Sequence, residues 1–182
     1  MKRAAPFVLF CFNIIPLFSQ NLVTNPGFES WQKISKPSEW TTASACTKDS
    51  TVILSGIYSC KQITTGDSKD LGQIIAVTPG KQYNLSFWYK NDTILKGNGC
   101  RIWSNWRDTA MNSITDEISL PLLRSGYLKS VSWKQYTAEL TAPANAAFIN
   151  LLIRTLPNSI TYWDDISFEE SVSTGISEKT AF

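Results

Sequence analysis

Residues Leu71–Asn91 have the sequence LGQIIAVTPGKQYNLSFWYKN, which predicts two β-strands joined by a tight turn at Pro79-Gly80. Proline presets φ and glycine readily adopts positive φ, so this pair favours a turn. After the turn, every second residue is aromatic or aliphatic, namely Tyr83, Leu85, Phe87 and Tyr89. This period of two predicts a strand with one face in a hydrophobic core, and it places Trp88 on the opposite face.

The remaining chain contains further short segments of the same kind. We count roughly eight to ten strands in all, with turn residues between them and no amphipathic helix of three turns. This pattern is typical of an all-β sandwich or barrel. The stretch 108–129 is harder to assign, because a short helix fits near Asp116–Ile118, whereas Pro121 and Gly126 favour an excursion with little regular structure.

The two ends of the chain differ from its central part in composition. Residues 1–20 begin with Lys2-Arg3 and continue with an apolar run, which predicts a secretory signal peptide, with a retained membrane anchor as the alternative. Residues 170–182 are polar and rich in Ser and Thr, which predicts a linker or tail. Residues 21–169 then form one secreted domain, with no membrane contact after the signal is cleaved.

Charge and residue usage exclude several classes of function. The chain has 17 Lys and Arg residues, two of them in the predicted signal peptide, against 15 Asp and Glu residues. Because no positive excess remains, nothing drives counterion release from DNA or RNA, and we predict no nucleic-acid partner. The sequence contains no histidine, which removes the Ser-His-Asp and Cys-His arrangements and the usual catalytic zinc ligands.

Paired carboxylates are the remaining route to catalysis. Glycosidases use two carboxylates about 5–10 Å apart, and the sequence has the doublets Asp116-Glu117 and Asp164-Asp165. Neighbouring residues on a strand point to opposite faces, so neither doublet supplies such a pair by itself. We therefore predict that the chain is not an enzyme.

Three cysteines remain once the predicted signal peptide is removed: Cys46, Cys60 and Cys100. Export permits disulfides, and three cysteines allow one bridge in any of three pairings. We favour Cys46–Cys60, because these two flank one candidate hairpin, and three unpaired buried thiols are the alternative. The sequence has no Cys-x-x-C spacing, so we predict no zinc or redox motif.

Strand parity also predicts a polar and aromatic surface that suits a sugar ring. Trp103 shares a strand face with Arg101, and Asn150 shares one with Arg154. Aromatic rings pack on the apolar face of a sugar, while Arg and Asn give fixed hydrogen-bond geometry to its hydroxyls. The predicted carbohydrate-binding residues are Trp88, Arg101, Trp103, Trp106, Asn150 and Arg154. Ordinary core packing is the alternative for each tryptophan.

Five segments, taken together, resemble the carbohydrate-binding modules of the CenC type, families four and nine: NLVTNPGFESW, SGIYSCKQI, LGQIIAVTPGKQYNLSFWYKN, SWKQYTAELTAPANAAFINLLIR and YWDDISFEE. The resemblance covers residues 21–169 and implies a galactose-binding-like β-sandwich with a jelly-roll layout. It also implies a non-catalytic module that holds a surface or a partner domain near a polysaccharide. Two alternatives stay open: an adhesion or structural module without a sugar site, and an accessory domain of a larger secreted hydrolase or nuclease.

The chain also resembles exported proteins of Bacteroidetes-type bacteria, in which such a module often precedes a sorting domain of the type nine secretion system. The segment TGISEKTAF is similar to the linker before that domain, whereas the tyrosine-proline-asparagine-proline motif of the domain does not occur in the sequence. The expected partners are therefore a glycan and a catalytic or sorting domain outside this chain.

The same resemblance to carbohydrate-binding modules implies a structural Ca²⁺ that joins the first and last strands, with Glu29 and Asp164 as the matching residues. Calcium takes carboxylate and carbonyl oxygens in irregular geometry. Parity with Ile166 and Phe168 predicts that Asp164 faces the apolar side, where a carboxylate needs a metal or hydrogen-bond donors. Hydrogen bonds from the backbone to both carboxylates are the alternative.

Overall fold

The computed structural model describes residues 19–171. Nearly all of the predicted signal peptide and all but the first two residues of the predicted tail lie outside this range. Within it, the chain forms short strands and one helical turn: β1 (Trp31–Lys33), β2 (Lys36–Pro37), β3 (Thr42–Ala43), β4 (Cys46–Asp49), β5 (Ser59–Thr64), β6 (Lys69–Ala76), β7 (Gln82–Asn91), β8 (Cys100–Ile102), β9 (Asn105–Arg107), β10 (Ser113–Ile114), α1 (Leu120–Leu123), β11 (Lys134–Thr141), β12 (Phe148–Thr155) and β13 (Ser159–Glu170).

Most of these strands belong to two antiparallel sheets. The five-stranded sheet has the order β11-β7-β13-β5-β4, and the six-stranded sheet has the order β10-β9-β12-β6-β3, with β8 also paired to β12. A two-stranded ribbon of β1 and β2 lies apart from both sheets. One hydrophobic core contains buried residues from both sheets, so the molecule is a β-sandwich, which confirms the predicted fold class.

The parity predicted for β7 is confirmed. Tyr83, Leu85, Phe87 and Tyr89 are all buried, and Trp88 is half-buried on the opposite face. Phe87 stacks on Tyr136 with a centroid distance of 4.9 Å and meets Trp163 edge-on at 5.7 Å. Burying each large apolar side chain contributes about 1.5–3 kcal/mol, so this aromatic cluster is a major source of stability.

A tight turn between two strands predicts a hairpin, but β6 and β7 do not pair with each other. The turn itself forms: the Lys81 N–H donates to the Thr78 carbonyl at 3.2 Å, and Gly80 has φ of 75°. However, β6 pairs with β12 and β3, whereas β7 pairs with β11 and β13. The turn therefore carries the chain from one sheet to the other, because each strand has an apolar face and the two faces meet across the core.

A bulge in β13 overturns the parity argument for Asp164. Asp165 has φ of 45°, and the register with β7 shifts between Asp164 and Ser167. Trp163 packs in the core, while Asp164 is opposite Trp88 and so points to the outer face of the five-stranded sheet. An extra residue in a strand reverses the alternation beyond it, which is why Asp164 does not share a side with Ile166 and Phe168.

The three cysteines in the described range are free and buried, so the predicted Cys46–Cys60 bridge is not formed. Cys46 and Cys60 lie on the adjacent strands β4 and β5. Burial raises the pKa of the Cys60 thiol well above its usual range, and a hydrogen bond with Cys46 raises it further. Burial likewise raises the pKa of the Cys100 thiol, so these two side chains stay protonated at neutral pH.

Candidate functional site

The outer face of the six-stranded sheet carries the main concentration of charged and aromatic side chains predicted for binding. Arg154 on β12 lies opposite Asp70 of β6 on one side and opposite Arg101 of β8 on the other. Its neighbours of opposite parity, Ile153 and Thr155, are fully buried. The period of two along β12 therefore directs Arg154 away from the core and toward solvent.

A break between β8 and β9 presents Trp103 on this face. The Trp103 N–H donates to the Leu152 carbonyl at 2.8 Å, and the Ser104 hydroxyl donates to the same carbonyl at 3.0 Å. The Leu152 N–H in turn donates to the Ser104 hydroxyl at 2.8 Å. At the break, hydrogen bonds with the Ser104 hydroxyl replace those that a continuous strand would form. The N–H and carbonyl of Leu152 therefore keep partners although the strand is interrupted. Trp103 remains half-exposed.

Arg124 reaches the same place from the end of helix α1. Its N–H closes the helical turn on the Leu120 carbonyl at 2.8 Å, and its Nε donates to the Ser104 carbonyl at 3.1 Å. Arg101 donates from Nη2 to the Arg124 carbonyl at 2.9 Å. These bonds hold the segment 120–124 against the break in the sheet. We call Arg101, Trp103, Arg124 and Arg154, with Asp70, the arginine cluster.

Three guanidinium groups lie over the Trp103 ring in this cluster. The distances from Cζ to the ring centroid are 4.0 Å for Arg124, 4.3 Å for Arg101 and 4.8 Å for Arg154. All three are within the range of cation–π attraction, and a planar guanidinium also stacks well on an aromatic face. Trp103 is therefore held among cations and is not a bare platform for a sugar ring.

The cluster has more positive than negative charge. Asp70 binds Arg154 through both oxygens, at 2.6 Å from Nε and 2.8 Å from Nη2. Neither Arg101 nor Arg124 forms an ion pair within residues 19–171. Partial burial lowers the pKa of Arg101 and of Arg124, and the neighbouring guanidiniums lower both further. Arginine still remains charged at neutral pH.

Farther along β12 the same face becomes amide-rich and apolar. Asn150 donates from Nδ2 to the Oδ1 of Asn105 at 3.2 Å, and Asn105 donates to the Ser113 hydroxyl at 2.9 Å. Ile74 lies opposite Asn150 on β6 and is 48% exposed. A ligand along this face would therefore meet guanidinium donors at one end and an amide beside an apolar side chain at the other.

The structure brings together only part of the predicted binding set. Arg101, Trp103, Asn150 and Arg154 lie on this one face. Trp106 is 1% exposed and donates from Nε1 to the Ser119 hydroxyl at 2.7 Å, so we remove it from the candidate surface as a core residue.

Trp88 lies on the five-stranded sheet, opposite Gln135 and Asp164, and so belongs to the other side of the molecule. Two residues of the cluster, Asp70 and Arg124, were missed from the sequence. Parity with Ile74 on the same strand was a usable signal for Asp70, whereas nothing local indicated Arg124.

The outer face of the five-stranded sheet carries the two predicted calcium ligands. Asp164 is fully buried, and residues 50–57, which form a loop, lie against it. Its Oδ2 accepts hydrogen bonds from the N–H groups of Leu54 at 3.0 Å and Ser55 at 3.4 Å. Burial raises the pKa of Asp164 to about 6, although these N–H groups oppose the shift.

Glu29 anchors the next part of the same loop. Its carboxylate accepts from the N–H of Ile57 at 3.0 Å and 3.1 Å and from that of Tyr58 at 3.2 Å. A Cβ on Gly27 would lie 3.4 Å from the Asp165 Oδ1 and 3.8 Å from the Asp164 Oδ1. Residues 19–171 contain no group of three or more Cys, Asp or Glu side chains placed to hold a metal.

A groove runs along the outer surface of the same sheet at β7 and β11. Its volume is about 570 Å³, and it is bordered by Asn84, Ser86, Leu122, Gln135, Thr137 and Glu139. The lining is hydroxyl- and amide-rich and carries no guanidinium, so it differs in chemistry from the arginine cluster.

In the described part of the chain, no helix is long and apolar enough to cross a membrane.

Solved structures with the same fold include carbohydrate-binding modules. The CBM22-1 xylan-binding domain of Paenibacillus barcinonensis Xyn10C superposes with a TM-score of 0.60 at 10% identity, over 85% of this chain and 97% of that chain. TmCBM61 in complex with β-1,4-galactotriose superposes with a TM-score of 0.55 at 18% identity, over 84% of this chain and all of that chain.

The fold is also found in a protein with another description. A cyclase from Fischerella sp. TAU superposes with a TM-score of 0.59 at 14% identity, over 82% of this chain and 95% of that chain. No protein-family model matches the sequence, and no curated protein matches it significantly. At these identities the similarity establishes the β-sandwich fold and leaves the function to the site.

Proposed function

We propose that the chain is a non-catalytic, extracellular carbohydrate-binding module whose binding surface is the outer face of the six-stranded sheet. The observation that carries the proposal is the arginine cluster, in which Trp103 and three arginines lie on one face with Asn150. Guanidinium and amide groups give directed hydrogen bonds to sugar hydroxyls, and Ile74 offers an apolar surface for a ring.

The proposed mechanism is passive, in that the module keeps a cell surface or a joined domain close to a polysaccharide. The pattern of similar folds supports it, because these include a xylan-binding domain and a module complexed with galactotriose. A module for adhesion without a sugar site is the second candidate, favoured by the burial of Trp40, Trp106 and Trp163 in the core.

A structural Ca²⁺ held by Glu29 and Asp164 is a further part of the proposal. Carboxylates suit this cation. A Cβ on Gly27 would lie 3.8 Å from the Oδ1 of Asp164 and 4.0 Å from the Cγ of Glu29, so both side chains approach this glycine. The ion would compete with the hydrogen bonds that the carboxylates of Asp164 and Glu29 now accept from backbone N–H groups. Titration of chelator-treated protein with CaCl₂ in a calorimeter should give heat and a higher melting temperature. No heat and no thermal shift would remove calcium from the proposal.

Affinity electrophoresis through a panel of soluble polysaccharides tests the binding function. We expect at least one polysaccharide to retard the chain and the retardation to be lost in Trp103→Ala while the variant still melts cooperatively. Trp88→Ala is the matched control, because it removes a half-buried tryptophan from the opposite sheet. If no polysaccharide retards the chain, the adhesion candidate replaces the binding module. Release of reducing sugar from any of the polymers would contradict the non-catalytic assignment.

A further inference from the structure

We propose that the arginine cluster selects anionic polysaccharides, which carry carboxylate or sulfate-ester groups, over neutral ones. The inference rests on the proposed function, since it concerns the same surface and defines its ligand class. It comes from three properties of the cluster: an excess of positive charge, N–H donors without an acceptor, and repulsion between neighbouring guanidiniums. A neutral sugar would neither balance the charge nor offset the repulsion.

The first property is the charge excess at a partly buried position. Three guanidiniums surround Trp103, and within residues 19–171 the ion pair of Asp70 with Arg154 is the one ion pair that they form. Because the whole sequence is nearly balanced in charge, this local excess does not follow from composition. An anionic group placed among Arg101, Arg124 and Arg154 would be attracted more strongly here than at an open surface, since solvent screens partly buried charges less.

The second property is the number of N–H donors without an acceptor. The Nε of Arg101 is buried and has no hydrogen-bond partner. Within residues 19–171, neither terminal nitrogen of Arg124 donates a hydrogen bond, nor does Nη1 of Arg101 or of Arg154. Guanidinium forks match the oxygens of an oxyanion two at a time, and such bonds are about twice as strong as neutral ones. The cluster therefore has the donors for a carboxylate or sulfate group.

The third property is the mutual repulsion of the arginines. The pKa of Arg124 is lowered by partial burial and then by Arg154 and Arg101, and that of Arg101 is lowered by burial and by Arg154. These shifts mean that neighbouring cations disfavour one another's charged form. A bound anion offsets that repulsion, whereas a neutral hydroxyl does so only weakly. Stacking on Trp103 keeps the guanidiniums in place for such a ligand.

The test uses polymer pairs that differ only in charge, at physiological ionic strength. The pairs are polygalacturonate with its carboxyl-reduced form, and dextran sulfate with dextran, and single-stranded DNA is added as a polyanion without sugar rings of this kind. Affinity electrophoresis and calorimetry measure binding to the full chain. We expect one acidic polymer to bind about tenfold or more tightly than its neutral partner, and the pair that responds tells carboxylate from sulfate.

The variants Arg101→Gln and Arg124→Gln should each weaken binding of the acidic polymer about tenfold. Arg124→Lys keeps the charge but loses the fork, so we expect an intermediate loss. Lys134→Gln removes the same charge from an exposed position on β11 of the other sheet, and it should bind as the wild type does. Thermal melting confirms that each variant is folded. The comparison of acidic with neutral polymers uses the wild-type protein and so does not depend on any variant.

Several outcomes would overturn the inference. Equal binding of acidic and neutral polymers would do so while leaving the carbohydrate-binding function intact. DNA bound as tightly as the acidic polysaccharide, or a loss in Lys134→Gln equal to that in the arginine variants, would show a response to charge alone. Binding of no polymer, acidic or neutral, would overturn both the inference and the proposed function.

Discussion

The arginine cluster and Asp164, on opposite outer faces of the sandwich, differ in how far their charged groups are paired within the protein. On the six-stranded sheet, guanidiniums gather around the half-exposed Trp103, and two of them have no ion pair in the described chain. On the five-stranded sheet, the carboxylate of Asp164 is fully buried under a loop and accepts hydrogen bonds from backbone N–H groups. The arginine cluster has N–H donors without an acceptor in the described chain, whereas the Asp164 carboxylate already accepts hydrogen bonds from the protein backbone.

This difference separates a surface suited to a ligand from one suited to structure. A charge whose hydrogen bonds are already made within the protein holds the fold together, as Asp164 and Glu29 hold residues 54–58. A cluster with unused donors and an excess of positive charge is stabilised when an anion binds to it. The four predictions below test this contrast, beginning with the largest expected effect.

The largest effect concerns the pH dependence of stability through Asp164. Its pKa is raised to about 6 in the folded protein, against about 3.9 in an unfolded chain. The folded state therefore binds more protons between these values, and this contribution to the free energy of unfolding is present below pH 4 and lost as pH rises to 6. Without calcium, the wild type should gain about 2.3 kcal/mol relative to Asp164→Asn between pH 7 and pH 4.

Urea denaturation at several pH values in a chelating buffer measures this difference. Asp67→Asn in an exposed loop is the control for any general effect of removing a carboxylate. Parallel pH profiles of the wild type and Asp164→Asn would contradict the assignment of a buried, protonatable Asp164. Added calcium should depress the wild-type gain at low pH, because a bound cation favours the ionised carboxylate.

The next effect compares the exposed tryptophans of the two faces. Trp103→Ala removes the ring that positions three guanidiniums, and we expect a loss of about 2 kcal/mol in glycan binding, or about 30-fold in Kd. Trp88→Ala on the opposite sheet should change Kd less than about twofold. Calorimetric titration with the polysaccharide retained in electrophoresis measures both. A greater loss in Trp88→Ala would move the site to the five-stranded sheet and its groove.

A smaller effect tests the packing beneath the arginine cluster. A Cβ on Gly72 would lie 2.2 Å from the Leu151 carbonyl oxygen and 2.4 Å from Leu152 Cδ2, so β6 and β12 must separate to accept one. We expect Gly72→Ala to lower the free energy of unfolding by about 1–3 kcal/mol. In Gly126→Ala, where an added Cβ meets nothing within 4 Å, stability should be unchanged. Thermal denaturation of both variants measures this, and equal melting temperatures would contradict the close approach.

The smallest effect has the opposite sign. Asp70→Asn removes the carboxylate that competes for Arg154, and it should tighten binding of an acidic polysaccharide about threefold, which is about 0.7 kcal/mol. The same change should leave binding of a neutral polymer unaltered. Titration of wild type and variant with both polymers measures this contrast. Weaker binding of the acidic polymer would mean that Asp70 acts mainly by orienting Arg154.

Local pattern was sufficient to predict the strands and much of the candidate face. The alternation in β7 and β12 placed their apolar residues inward, and the same rule placed Asn150 and Arg154 outward. It failed wherever one extra residue interrupted the period. The bulge at Asp165 reversed the side of Asp164.

Sequence alone determined that this chain is all-β, because a period of two and regular turns are properties of neighbouring residues. Only the tertiary structure decided which strands share a sheet, that Trp88 and Trp103 lie on opposite sides, and that Arg124 joins Trp103. Those facts depend on pairings between residues far apart in the chain, such as β12 with β6. The free energy that selects such pairings comes from the whole core, and no short segment contains it.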